Sequence, residues 1–254
     1  MEQPRMVYME KRQMNERPVA VVTGATRGIG RAVAHGFAAD GYAVVAVARN
    51  AEGIESLAAE LEGKGGAVLR CPLDVADPQA VADAIERLAK ETGRIDVLFN
   101  GAGIVHRGTS SIADAQQRHL LDTNLLGAIN LIRATAPVMK AARSGYVINI
   151  ASRSAIYPKA GNGGYAASKA ALRAYSEALC LELVKEGIKV STLCPSYVHT
   201  DQSARQTWLP DAAKIPPSDL YACVRFLLAL SPASAVKELV VDCSHVLAHG
   251  EQYV

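Results

Sequence analysis

From residue 19 onward the chain alternates short runs of Val, Ile, Leu and Ala with longer segments in which apolar residues recur every three or four positions. The short runs, at 19–23, 43–48, 67–73, 97–100, 146–151, 189–194 and 238–242, are close to continuously apolar. That is the pattern of parallel strands covered on both faces. The longer segments, at 29–40, 52–63, 78–92, 115–142, 165–186 and 218–230, have helical spacing. In the fifth, Ala167, Ala171, Leu172, Tyr175, Leu179 and Leu183 fall on one face, flanked by alanines that permit close packing. Strand and helix in turn predict an α/β fold, a three-layer, doubly wound parallel sheet of seven strands. No internal repeat, low-complexity tract or Ser/Gly linker interrupts the alternation, and the one long irregular stretch, 195–217, is a candidate lid.

Composition narrows the class. With 254 residues, half of them hydrophobic, the chain is long enough for one sizeable core, so residues 18–254 are expected to form a single domain. The polar stretch 1–17 reads as a flexible N-terminal extension, a partner-binding arm being the alternative. The 27 basic and 25 acidic side chains leave a net charge of +2, too balanced for a nucleic-acid-binding field. The five cysteines form no CxxC pair and sit mostly in apolar runs, as expected of reduced core residues. No run approaches the length of a membrane span and no signal peptide is apparent, so the expected location is cytoplasmic.

Directly after the first strand comes Thr23-Gly24-Ala25-Thr26-Arg27-Gly28-Ile29-Gly30, leading into a helix. In that context Gly24 lets the chain turn, Gly28 lets backbone approach a pyrophosphate, and Gly30 lets the helix pack close to the sheet. The helix start then offers unpaired N–H groups and a positive dipole end to phosphates. A glycine-rich turn alone is weak support, but between strand and helix it points to a dinucleotide. An acid at the end of the second strand would bond the ribose hydroxyl of NAD, whereas arginine favours the 2′-phosphate of NADP. Here that end reads Val47-Ala48-Arg49-Asn50, and Arg27 is a second cation in reach. Either arginine could be a solvated surface charge, but two at these places with no acid make NADP(H) the expected cofactor.

Tyr165 and Lys169 lie four apart near the start of a helix, so both project from one face. A phenol is a poor acid or base near neutrality, and a neighbouring ammonium favours its ionised form and draws its pKa toward the working range. Such a pair also arises by chance on helix surfaces. What gives it weight is Ser152, which closes the fifth strand at the carboxyl edge of the sheet and could donate to an oxygen on which charge develops. A serine there could equally start a turn.

Taken together, these residues resemble the short-chain dehydrogenase/reductase family over roughly residues 19–242. The likeness rests on Thr-Gly-x-x-x-Gly-x-Gly, Asn100-Gly101-Ala102-Gly103, Asn124, Ser152 and Tyr165-x-x-x-Lys169, in the family's order and spacing. It implies a Rossmann fold and hydride transfer between nicotinamide and a ketone or secondary alcohol, of 3-oxoacyl or secondary-metabolite type. Tyr165 would be the general acid/base, Ser152 would polarise the carbonyl, Lys169 would hold the nicotinamide ribose, and Asn124 would support a proton-relay water. The cofactor set would be Gly24, Thr26, Arg27, Gly28, Ile29 and Gly30 at the phosphates, with Arg49 and Asn50 at the 2′-phosphate. Asp74 and Val75 would lie at the adenine and Asn100, Gly101, Ala102 and Gly103 beside its ribose, with Pro195, Val198 and Thr200 at the nicotinamide.

The chain departs from the family pattern at three places. Gly101 replaces a second asparagine and is expected to relax its turn. Ser196 stands where the family has glycine and would be strained if the backbone needs a positive φ. The segment Val240-Val241-Asp242-Cys243-Ser244-His245 lacks the usual Gly-Gly, which makes the homotetramer implied by the resemblance less secure and leaves a dimer as the fallback.

The resemblance places substrate against His106 and Arg107, the loop 153–162, and the segment 197–217. Ile156, Tyr157, Tyr197 and Trp208 would offer apolar or aromatic contact there, and Arg153, Lys159, His199 and Arg205 could meet an anionic group. His199 has no second ligand at metal spacing, and no metal is expected. Two other functions fit less well. A non-catalytic NADP-binding regulator would be expected to have lost Ser152, Tyr165 or Lys169. A nucleotide-sugar dehydratase or epimerase would have a Gly-x-x-Gly-x-x-Gly spacing and an added substrate domain.

Overall fold

The structure, a computed structural model, describes residues 17–204 and 207–249. The extension expected at 1–17 lies outside these residues except for Arg17, whose guanidinium donates to the Gly65 carbonyl at 3.5 Å. Strands β1 (Val19–Thr23), β2 (Ala43–Ala48), β3 (Ala67–Pro72), β4 (Val97–Asn100), β5 (Gly145–Ile150), β6 (Ile188–Pro195) and β7 (Glu238–Val241) form one parallel sheet in the order β3-β2-β1-β4-β5-β6-β7. Helices α1 (Gly28–Ala39), α2 (Ala51–Glu62), α3 (Pro78–Thr92), α4 (Asp114–Leu121), α5 (Gly127–Ala142), α6 (Gly163–Leu183), α7 (Pro217–Ala229) and α8 (Ser244–His249) accompany it. The strand order reverses between β1 and β4, where Thr23 and Asn100 pair in register. In open α/β sheets ligands bind outside the strand ends at such a switch point.

Strand periodicity divides the core in two. Ala20 and Val22 of β1 face one cluster with Val33, Phe37 and Leu220, while Val19 and Val21 face the other with Val81, Ile85 and Leu131. In α3 local and global signals agree. Asp77 accepts from the Gln79 and Ala80 amides at 3.0 Å, Pro78 takes the first position, and Gly93 closes the helix at φ 70°. The cap contributes about 1 kcal/mol. Burying Val81, Ile85 and Leu88 contributes about 1.5–3 kcal/mol each, so packing is the larger hold.

Some expectations are corrected. The helix expected over 115–142 is divided by a π turn, Asp122–Leu126, in which the Gly127 amide bonds the Asp122 carbonyl five residues back. A Cβ at Gly127 would stand 2.5 Å from Val75, so glycine lets α5 close on the loop after β3. The segment 195–217 is not structureless. Val198 pairs with Ile215 in a parallel bridge, Asp211–Ala213 forms a 3-10 turn, and Leu209, Lys214 and Ile215 are buried. Helix α8, with Val246 buried against the core, had no clear periodicity to announce it. Ser196 carries no strain of the kind anticipated, because among the described residues the one non-glycine with a positive φ is Arg143. The Ser196 hydroxyl instead accepts from the Cys243 amide at 3.0 Å, tying β6 to the chain beyond β7.

Candidate active site

At the switch point the β1–α1 loop and the chain after β4 are clipped together. Thr23 Oγ1 accepts from the Gly101 and Ala102 amides, both at 3.0 Å. Gly24 has φ +68°, and a Cβ there would stand 2.9 Å from the Gly101 carbonyl oxygen, so both the turn and the close approach require glycine. At Gly30 an added Cβ would lie 2.3 Å from the Gly24 carbonyl oxygen, which accounts for the tight seat of α1. Gly28 (φ +53°) faces Thr200, whose methyl would stand 3.0 Å from a Cβ. Gly101 does not relax its turn as expected. A side chain there would meet the Phe99 ring at 2.7 Å and the Thr23 carbonyl at 2.8 Å, so the tight packing excludes one.

Two features of this loop fit a phosphate-bearing cofactor. Arg27 precedes α1 in extended conformation with no side-chain cap, leaving the first N–H groups of α1 to a ligand. Asn100 Oδ1 is buried with no hydrogen-bond partner among the described residues, while its Nδ2 donates to Asn149 at 2.8 Å. At the far end, Arg49 lies 3.9 Å from Asp74, and both are about half exposed. Asn50 accepts from the Gly53 amide at 3.2 Å as the cap of α2, and a Cβ at Gly53 would meet Thr26 at 3.0 Å. Asp74 accepts from the Ala76 amide at 3.0 Å. Val75 and Val198 are buried, Ile29 packs against the core, and Pro195 ends β6 opposite Val241.

Four residues from three parts of the chain meet beyond the ends of β4 and β5. Ser152 is extended (φ −168°) and its hydroxyl accepts from the Ser154 amide at 3.1 Å, so it starts a turn as well as facing the site. Tyr165 and Lys169, one turn apart on α6, are 9% and 4% exposed. The polar side chains of Ser152 and Gln202 act on the Tyr165 phenol in the direction that favours its ionised form. Lys169 Nζ donates to the Ile150 carbonyl at 2.7 Å. Asn124, in the π turn, accepts from the Ile104 amide at 2.8 Å and donates to the Ile104 carbonyl and to Ser168 Oγ, both at 3.0 Å. Ser168 bonds the Tyr165 carbonyl at 2.7 Å, so Asn124 holds the first turn of α6 from below. A Cβ at Gly103 would stand 3.3 Å from both Asn124 Oδ1 and Lys169 Nζ.

The electrostatics differ from the expectation that Lys169 lowers the Tyr165 pKa. Burial raises the phenol above its ordinary value against the opposing influence of the polar Ser152 and Gln202 side chains. Burial also pushes Lys169 down to about 8, which limits the charge it could lend its neighbour. The Cys194 thiol is pushed up to about 12, mainly by burial.

A model of the short chain dehydrogenases matches residues 18–208. The chain belongs to the short-chain dehydrogenase/reductase family. As a member it is an oxidoreductase of carbonyl and alcohol groups. It is 33% identical over 189 residues to 3-oxoacyl-(acyl-carrier-protein) reductase FabG of Escherichia coli (strain K12), covering 74% of this chain and 76% of that one. A metagenomic short-chain oxidoreductase solved with NADP is 31% identical with a TM-score of 0.78, covering 89% of this chain and 96% of the other. A variant of the actinorhodin polyketide ketoreductase solved with NADPH is 27% identical with a TM-score of 0.85, covering 91% and 97%.

Around the centre of this dehydrogenase/reductase, several side chains considered for substrate are engaged with one another. Arg153 pairs with Asp242 at 2.8 Å and lies 5.1 Å over the Tyr157 ring. Lys159 donates to the Tyr197 hydroxyl at 2.7 Å, and Tyr197 meets Trp208 edge-on at 5.3 Å. His106 Nε2 lies 3.3 Å from His119 Nδ1, both exposed. His199 lies 3.7 Å from Asp211, and Arg205 is outside the described residues. An open groove of about 390 Å³ follows α1 past Gly28, Arg31 and His35 to His199 and Thr200, flanking the glycine loop rather than the tyrosine. Two residues went unread in the sequence, Gln202 and the buried Lys214. A polar residue in an irregular segment carries no periodic signal, so nothing could have singled them out.

Proposed function

We propose that this chain reduces a ketone to a secondary alcohol with NADPH, using Tyr165 as the proton donor. The carrying observation is the burial of Tyr165, one helical turn from the equally buried Lys169. Burial keeps the phenol protonated through the neutral range, which suits a donor in the reducing direction. Bound NADPH supplies the hydride to the carbonyl carbon. As electron density moves to the carbonyl oxygen, Tyr165 gives that oxygen its proton and the Ser152 hydroxyl donates a hydrogen bond to it. Lys169 holds the nicotinamide ribose, and Asn124 fixes the start of α6 and supports the water through which the proton is replaced.

The reading of the cofactor rests on the same residues as before. Gly24, Thr26, Arg27, Gly28, Ile29 and Gly30 cradle the pyrophosphate, and Arg27, Arg49 and Asn50 receive the 2′-phosphate, with Ala48 where an acid would select NAD. Asp74 and Val75 contact the adenine, Asn100 to Gly103 its ribose, and Pro195, Val198 and Thr200 the nicotinamide. A 3-oxoacyl or polyketide-type ketone is the substrate class, by likeness to the two reductases named above. Residues 18–254 act as one catalytic unit in the cytoplasm, in keeping with five unpaired cysteines. Among the described residues no helix is long and apolar enough to cross a membrane. The unit is a homo-oligomer, tetramer or dimer, through exposed apolar side chains such as Leu181, Phe226 and Leu247.

The deciding experiment assays the purified chain with NADPH and NADH against 3-oxoacyl thioesters, cyclic ketones and small aliphatic ketones. Tyr165→Phe should lower turnover by about 10²–10⁴-fold while NADPH still binds in a fluorescence titration. Full activity in that variant would overturn the mechanism.

A further inference from the structure

The residue that follows Ser152 is held from across the sheet. Arg153 Nε lies 2.8 Å from Asp242 Oδ1, and both atoms are sealed from solvent. Asp242 comes just after β7, so the pair passes the end of β6 to reach the end of β5. The backbone on either side of Asp242 is fixed. The Ser196 amide donates to the Val241 carbonyl at 2.9 Å, and the Ser196 hydroxyl accepts from the Cys243 amide at 3.0 Å. The buried Cys243 thiol donates to the Ala213 carbonyl at 2.9 Å. The Arg153 guanidinium also lies 5.1 Å from the centre of the Tyr157 ring.

At the other end of the pair is a short 3-10 turn, Arg153–Ala155, that starts from Ser152. The Ala155 amide donates to the Ser152 carbonyl at 2.9 Å, and the Ile156 and Tyr157 amides donate to the Arg153 carbonyl at 3.0 and 2.9 Å. The Ser154 amide donates to Ser152 Oγ at 3.1 Å. That bond occupies a lone pair of the hydroxyl and turns its proton away from the amide. A sealed ion pair adds little net stability, because desolvation offsets most of its attraction. What this one fixes is the turn that aims Ser152.

We propose that Asp242 and Arg153 are positioning residues for Ser152. Pinned to Asp242, Arg153 holds the turn in place, and the Ser154 amide then keeps the Ser152 hydroxyl with its proton directed at the substrate oxygen. The proposal rests on the reading of Ser152 as donor to that oxygen. It assigns Arg153 to the scaffold of the site instead of to an anionic group of the substrate.

The full chain is compared as wild type, Asp242→Asn, and the double variant Arg153→Met with Asp242→Leu. The readouts are kcat and KM for ketone reduction, the Kd for NADPH, the melting temperature, and amide hydrogen exchange over residues 154–157. Asp242→Asn should lower kcat by about tenfold or more, short of the roughly 10²–10³-fold cost of removing an oxyanion donor. It should also speed exchange of these amides and leave the Kd for NADPH unchanged. The double variant removes both charges and strands neither, so it carries the test if Asp242→Asn does not fold. It should melt within a few degrees of wild type and still lose kcat. In a Ser152→Ala background, followed in single turnovers, Asp242→Asn should cost no more than about twofold, because the hydroxyl it acts through is already gone.

An unchanged kcat in both variants overturns the proposal, as does a loss of the same size without Ser152, or a loss with exchange at 154–157 unmoved. Ketone reduction with neither rate nor exchange altered would sink the brace and leave the reaction standing. Faster exchange in Asp242→Asn of a chain that reduces no ketone would sink the reaction and leave the brace standing.

Discussion

Lys169→Met exchanges a buried ammonium for an uncharged chain of similar length, and it separates what the fold needs from what the chemistry needs. The amine is 4% exposed, and burial takes its pKa from the ordinary 10.5 down to about 8. Between those values the unfolded chain binds more protons than the folded one, so stability rises with pH across that window. Below about 8 the amine is charged in both states. Holding it buried then costs on the order of 3 kcal/mol, at about 1.4 kcal/mol per pKa unit. Methionine removes that cost but leaves the Ile150 carbonyl, now 2.7 Å from Nζ, without its donor, a loss of about 1–2 kcal/mol. The balance is a gain of about 1–2 kcal/mol, or roughly 2–8 °C in Tm for a chain of this size. Thermal unfolding followed by circular dichroism near pH 7 should show the variant more stable, inactive, and losing its advantage as pH rises from about 8 toward 10.5. A difference that does not change with pH, or a variant less stable near neutrality, would refute the reasoning.

Further outcomes follow from the glycine loop and the surface. Arg49→Asp should weaken NADPH relative to NADH by about tenfold or more, since it removes a partner of the 2′-phosphate and places an acid after Ala48; an unchanged ratio of kcat/KM for the two cofactors would end that assignment. Gly30→Ala inserts a methyl 2.3 Å from the Gly24 carbonyl oxygen and should destabilise the chain by about 1–3 kcal/mol while raising the Kd for NADPH, as seen in denaturant unfolding and cofactor titration. Light scattering should give a mass of two or four chains, and a charge introduced as Leu247→Glu or Phe226→Glu should lower it if those side chains are covered by a second copy.

Much of the fold was legible because its signals are local. Continuous apolar runs marked all seven strands, and helical spacing marked the principal crossovers, since a strand or helix face must be apolar wherever solvent is excluded. The β1–α1 loop was equally legible, because glycines at fixed offsets answer to steric limits within a few residues. The π turn at Asn124 was not. Its sequence, Asp-Thr-Asn-Leu-Leu, is ordinary for a helix, and the demand on it comes from the Ile104 backbone, brought there by β4. Gly101 was misread for the same reason, as the obstruction is the Phe99 ring folded back over the turn.

The sequence by itself determined the α/β alternation, the family and the residues that meet at the reactive centre, because spacing on strands and helices decides which side chains share a face or an edge. Only the tertiary structure decided how those residues behave together. Burial, and not the ammonium one turn away, sets the direction of the Tyr165 pKa, and Lys169 is drawn to a backbone carbonyl. Lys214, which composition would have left in solvent, is buried and holds a turn of a segment with no periodic signal through the Ser203 carbonyl. Each of these depends on how much water is excluded and which distant atoms fill its place, and neither quantity is carried by the local order of residues.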